Sequence, residues 1–183
     1  AAAALVAGCG STKEDDRSKA PEKLYSDAKD DLDAGSWDRA AKSFERVEGR
    51  AAGTLLAQQA MLERAYALYR SGERTESLAV LDRFLKLHPS SPAYDYALYM
   101  RGVVNFNDDL GLFGSIARQD LSERDQKASR EAYLSFRQLV DQFPDSRYAP
   151  DARQRLNYIV NALANNEVHV ARYYYRRGAY VAA

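Results

Sequence analysis

Between Ala65 and Pro89 the chain reads AYALYRSGERTESLAVLDRFLKLHP. Two apolar stripes at helical spacing are split by Ser71-Gly72-Glu73, and Pro89 ends the second. That second stripe, Ser77, Leu78, Leu81, Phe84 and Leu85, covers one face of a helix. What constrains the fold most is that this unit recurs. Ala28, Ala65 and Gly102 follow one another at intervals of 37, as do the turn glycines Gly35 and Gly72. Phe44 and Leu81 keep the same interval, and so do Val47 and Phe84. Leu81 to Phe136, Phe84 to Leu139 and Pro89 to Pro144 are instead all 55 apart. Three pairs agree, so one insertion of 18 residues lies inside the third unit. An ordinary bundle of amphipathic helices has no reason to keep such offsets.

A small residue midway along the first helix, glycine at the turn, a small residue early in the second helix and a closing proline form the pattern of a tetratricopeptide repeat. Small residues let two antiparallel helices approach, and neither helix buries its face without the next pair. The predicted fold is all-α, a tetratricopeptide-repeat (TPR) α-solenoid of antiparallel helix pairs. The array covers 21–183, with repeats at about 21–53, 54–90 and 91–145, the last carrying the insertion over 107–125. A long helix over 151–177 opens a further repeat, with Ala152, Leu156, Ile159, Leu163, Val170 or Ala171, and Tyr174 on its inner stripe. A break near Asn165 is the alternative. The chain stops at Ala183, at an early position of a second helix, so C-terminal repeats are expected to be missing from it.

Composition narrows the function. Lys and Arg number 26, Asp and Glu 26, and the resulting zero net charge gives no electrostatic case for nucleic acid as the main partner. The lone cysteine rules out an intrachain disulfide and a cysteine-rich zinc site. No run reaches the roughly 20 apolar residues of a membrane helix. His88 and His169 stand near no triad, zinc or phosphate-loop motif, and Asp15-Asp16 and Asp108-Asp109 fall in loops. No catalytic residue, metal or cofactor is expected.

The N-terminal AAAALVAGCGS reads as the end of a signal peptide over 1–8. Leu5-Val6-Ala7-Gly8-Cys9 resembles the lipobox of bacterial lipoproteins, which implies a covalent lipid anchor on Cys9. An incidental free cysteine is the alternative. Residues 9–20, polar and without periodicity, read as a lipidated tether. Gly10 after the cysteine implies, by resemblance to enterobacterial sorting, the outer membrane. In the insertion, Leu112 and Phe113 either cover a helix end or face a partner.

In repeats of this class the first helix of each pair lines a concave face. The resemblance places Tyr25 there from the first repeat, and Leu62, Tyr66 and Tyr69 with Arg70 from the second. The third contributes Tyr96, Tyr99, Val103 and Phe106. The surface would be an aromatic peptide-binding groove with a cation at its edge, unless part of it is inter-repeat core. On the long helix, Arg172, Tyr173, Arg176 and Arg177 have the composition of a partner interface, or of a solvated basic face.

The lipobox, tether, third-repeat insertion and the run Val170-Ala171-Arg172-Tyr173-Tyr174-Tyr175-Arg176-Arg177-Gly178-Ala179-Tyr180 together resemble the BamD (ComL) family. Phe143-Pro144-Asp145-Ser146-Arg147-Tyr148 with Asp151-Ala152 adds to the likeness. The resemblance implies a five-repeat solenoid and a non-enzymatic lipoprotein of the β-barrel assembly machinery. Such a protein sits on the inner leaflet of the outer membrane of a Gram-negative bacterium and faces the periplasm. Its implied partners are unfolded β-barrel precursors, the BamA periplasmic domain, and BamC and BamE-type lipoproteins. Another cell-envelope repeat lipoprotein, scaffolding peptidoglycan or periplasmic enzymes, is the alternative.

Overall fold

Gly35 and Gly72 stand at helix-to-helix turns with φ of 72° and 91°, left-handed conformations that strain any residue with a Cβ. The computed structural model describes residues 19–106 and 123–181, in two units, Ala1–Glu73 and Arg74–Ala183. Cys9, Leu112 and Phe113 lie outside the described residues. Every described element is a helix.

In the first unit, α1 (Pro21–Asp33), α2 (Trp37–Arg50) and α3 (Leu55–Arg70) pack in sequence. Pro21 opens α1, where its missing N–H costs nothing. The chain reverses over Ala34–Ser36, and the Ser36 amide donates to the Asp31 carbonyl at 2.9 Å. Thr54 caps α3 by accepting from the Ala57 amide at 3.3 Å. Leu24, Ala28 and Leu32 of α1 meet Ala40, Ala41, Phe44 and Val47 of α2 and Ala60 and Ala67 of α3 in one core.

The second unit holds α4 (Arg74–Leu87), α5 (Tyr94–Asn105), α6 (Glu123–Gln142) and α7 (Ala149–Arg176). Leu98, Ala132, Phe136, Leu139, Ala149, Ala152 and Ile159 form its core. The positions aligned by the sequence offsets are sealed: Phe44, Leu81 and Phe136, and Val47, Phe84 and Leu139, are all 0% exposed. Charge follows the same interval. Arg64 pairs with Glu45 at 2.8 Å, and Arg101, 37 residues on, pairs with Asp82, 37 residues beyond Glu45, at 2.6 Å. Arg101 also donates to Glu131 at 3.0 Å and Ser135 at 2.6 Å, so one guanidinium ties α4, α5 and α6 together. Arg74 donates to the carbonyls of Val104 and Phe106, which satisfies the end of α5.

Two expectations change. Helix α6 begins at Glu123, inside the segment read as insertion. Helix α7 runs unbroken through Asn165 and Asn166, but its apolar stripe stops being covered after Leu163. Val170 is 40% and Tyr174 39% exposed, because no described element packs on that end.

Gly102 is the tightest point of the second unit. A Cβ there would stand 2.5 Å from the ring of the fully buried Phe136. Gly102→Ala is expected to destabilise the fold by roughly 1–2 kcal/mol, overpacking of about 1–3 kcal/mol outweighing a helix gain of up to about 1 kcal/mol. Chemical denaturation checks this, and Phe136→Leu in the same chain is expected to recover part of the loss.

Candidate functional site

Tyr25 and Tyr99 look outward in sequence but are fixed from within. The Tyr25 ring meets Phe44 edge-on at 5.6 Å, and its hydroxyl hydrogen-bonds Glu63, which also pairs with Lys29 at 3.3 Å. Burial, then the Glu63 charge and hydrogen bond, push the Tyr25 pKa up to about 12. Tyr99 lies on Phe136 at 6.1 Å and donates to Asp151 at 2.9 Å. Burial and that bond raise its pKa too. Leu62, expected on the groove wall, is a correction: it is 6% exposed and belongs to the interior, since a leucine has no polar end to keep at a surface.

The open part of the first unit is a cluster at the C-terminal end of α3. Trp37 and Tyr66 meet edge-to-face, centroids 6.3 Å apart at 88°. The Arg70 guanidinium lies 4.3 Å from the Trp37 ring centre and 5.7 Å from that of Tyr66, and donates to the Tyr66 hydroxyl at 2.7 Å. Arg70 is exposed, and no carboxylate among the described residues pairs with it. Tyr69 is half-buried on the same helix. Trp37 was missed as a site residue. It opens α2, and because consecutive helices run antiparallel, the start of α2 stands beside the end of α3.

The second unit carries a longer band. Tyr99 stacks on Tyr148 at 4.8 Å and 20°, and Tyr96 lies 5.4 Å from Tyr148. Asp151, which accepts from the Tyr99 hydroxyl, also accepts from Arg155 at 2.6 Å. Arg155 in turn lies 4.9 Å from the Phe106 ring centre, and Phe106 meets Tyr158 at 5.6 Å. Tyr96, Tyr99 and Phe106 are thus brought together, while Tyr148, Arg155 and Tyr158 come from the next turn and helix. The Tyr148-Ala149-Pro150-Asp151 segment that opens α7 was the available signal.

Arg172, Tyr173, Arg176 and Arg177 are all exposed at the far end of α7, with Arg177 4.4 Å from the Tyr173 ring centre. A groove of about 820 Å³ between α4 and α6 shares none of these residues. Its charges are largely paired within it, Arg101 with Asp82 and Glu131, and Arg137 with Asp141. Among the described residues, no group of three His, Cys, Asp or Glu could hold a metal, and no helix is long and apolar enough to cross a membrane.

The fold is thus a set of helix pairs of the tetratricopeptide type with tyrosine and arginine at their surface. Residues 17–183 match the family model described as outer membrane lipoprotein (YfiO). The outer membrane protein assembly factor BamD of Neisseria meningitidis serogroup B is 50% identical over 162 residues, 88% of this chain and 61% of that protein. Its counterpart in Xylella fastidiosa is 36% identical over 181 residues, covering 98% and 62%. The one in Vibrio cholerae is 31% identical over 182 residues, covering 100% and 76%. The chain belongs to this BamD family of outer membrane lipoproteins. It spans about three-fifths of the length of the Neisseria and Xylella relatives.

The raised Tyr25 pKa predicts a pH effect with a definite sign. The protonated hydroxyl is favoured in the folded state, so its stabilisation is complete below about pH 10, the ordinary tyrosine range, and is lost as pH rises toward about 12. Tyr25→Phe is expected to flatten that alkaline loss and to remove one late-titrating phenolate, read by ultraviolet absorbance during a pH titration.

Proposed function

We propose that the chain is the receptor and scaffold part of an outer-membrane assembly factor, non-enzymatic, that holds unfolded β-barrel precursors for a larger assembly partner. The observation that carries this is Arg70, seated on Trp37 and Tyr66 and paired with no carboxylate among the described residues. A guanidinium in that position can take a chain-terminal carboxylate through paired hydrogen bonds. Tyr66 and Tyr69 beside it supply ring area at low entropy cost. Outer-membrane β-strands that end in an aromatic residue combine those two features. A receptor that hands its client on must also release it, so micromolar affinity, about −8 kcal/mol, is expected.

The exposed end of α7 fits the second half of the task. Arg172, Arg176 and Arg177 face solvent with Tyr173, and outward arginines contribute little to the fold while serving as interface anchors. The partners proposed for this surface are the BamA periplasmic domain and BamC and BamE-type lipoproteins. A lipid on Cys9 would hold the chain at the inner leaflet of the outer membrane, facing the periplasm.

One set of variants tests the reading. Tyr66→Ala with Tyr69→Ala is expected to weaken binding of a last-strand barrel peptide at least tenfold in a chain that thermal melting shows to be still folded, through the loss of about 1.5–3 kcal/mol of ring contact. Arg176→Glu with Arg177→Glu is expected to leave peptide binding intact and to reduce pull-down of the assembly partner. Equal peptide binding by the first double variant would remove the receptor role from this face.

A further inference from the structure

We propose that the second unit holds a ligand site of its own, centred on Arg147 and Tyr148, for an extended peptide that places an aromatic side chain beside a carboxylate. It rests on the receptor reading above but makes no use of Arg70.

The site is built before any ligand arrives. Tyr148 lies in the turn ahead of α7, with Tyr99 stacked on it at 4.8 Å and Tyr96 beside it at 5.4 Å. The turn itself is tied down: the Ser146 hydroxyl donates to Asp95 at 2.6 Å, and the Tyr148 amide donates to Ser146 Oγ at 3.2 Å. Tyr99 is fixed in turn by Asp151. Rings held in this way need no ordering on binding, which favours affinity.

Charge decides the ligand. Arg147 is exposed, lies 4.7 Å from the Tyr148 ring centre and bonds the Tyr148 hydroxyl. It forms no ion pair with a carboxylate among the described residues, although the Asp95 charge acts on it from nearby. The nearby carboxylates are already engaged. Asp95 accepts from Ser146 and from the Tyr96 amide at 2.7 Å, and Asp151 accepts from Tyr99 and Arg155. Arg153 donates to the Pro144 carbonyl at 3.2 Å. Among the described residues, this surface presents the guanidinium edge of Arg147 with tyrosine rings around it. A carboxylate matches the edge and an aromatic ring matches Tyr96 and Tyr148. A lipid surface would call for several free cations rather than one cation among tyrosines.

Calorimetry with a short synthetic peptide ending in a phenylalanine carboxylate tests this on the whole chain. The expected result is two peptides bound per chain, falling to one with Arg147→Glu and to one with Arg70→Glu. Arg147→Lys, which keeps the charge but loses the planar fork, is expected to weaken this site about tenfold. Both positions are exposed, and thermal melting checks that the variants stay folded. One bound peptide that survives Arg147→Glu and is lost with Arg70→Glu overturns the second site and leaves the receptor reading standing. One that is lost with Arg147→Glu alone supports the second site and overturns the role of Arg70. Displacement of the Arg147-dependent peptide by inorganic phosphate at equal concentration overturns the peptide assignment, and no binding by the unaltered chain overturns both.

Discussion

A ring pressed against a residue with almost no side chain is the contact on which the α5–α6 pair depends. Gly102 leaves room for Phe136, and Ala28 lies in one core with Phe44. Neither a helix nor a single pair can seal such a ring alone, so the next helix is required to complete the core. This is why Ala28, Ala65 and Gly102 keep one interval. The same interval carries the acid–arginine pairs Glu45 with Arg64 and Asp82 with Arg101, which add register to packing that is otherwise non-directional.

Beside its buried residues, the first helix of each pair carries polar-tipped rings. Tyrosine suits that position because its ring joins the core while its hydroxyl reaches a partner. Tyr25 and Tyr99 do this with Glu63 and Asp151. They hold the face in shape rather than offer themselves to a ligand. Rings and cations also cluster at Trp37, Tyr66 and Arg70 in one unit and at Tyr96, Tyr148 and Arg147 in the other. In both, an arginine rests on a ring and forms no ion pair with a carboxylate among the described residues, which is the chemical basis of the interaction surfaces proposed above.

The inner positions were legible because burial enforces periodicity: Phe44, Leu81 and Phe136 could be aligned by counting, and all are sealed. The outer face was legible only in part. Helical spacing places Leu62 and Tyr25 at one repeat position, yet one is interior and the other keeps its hydroxyl on Glu63, a difference of side-chain chemistry that spacing does not contain. Trp37, Tyr148 and Arg155 escaped because they reach the face from a helix start, a turn and the following helix. No period within the first helices points to them. The end of α7 was misread for the opposite reason. Its stripe continues in phase to Tyr174, but phase is no evidence that anything covers it.

Trp37 is the single tryptophan of the chain and lies directly beneath Arg70. Its fluorescence therefore reports on the proposed receptor site without any label. Titration with a peptide that ends in an aromatic residue and a free carboxylate is predicted to change the Trp37 emission saturably, in the micromolar range. The same peptide with an amidated end is predicted to need at least about tenfold more, since one charge-assisted hydrogen-bond pair is lost. Emission that stays constant while the peptide saturates the protein, or that responds equally to the acid and the amide, would contradict the account.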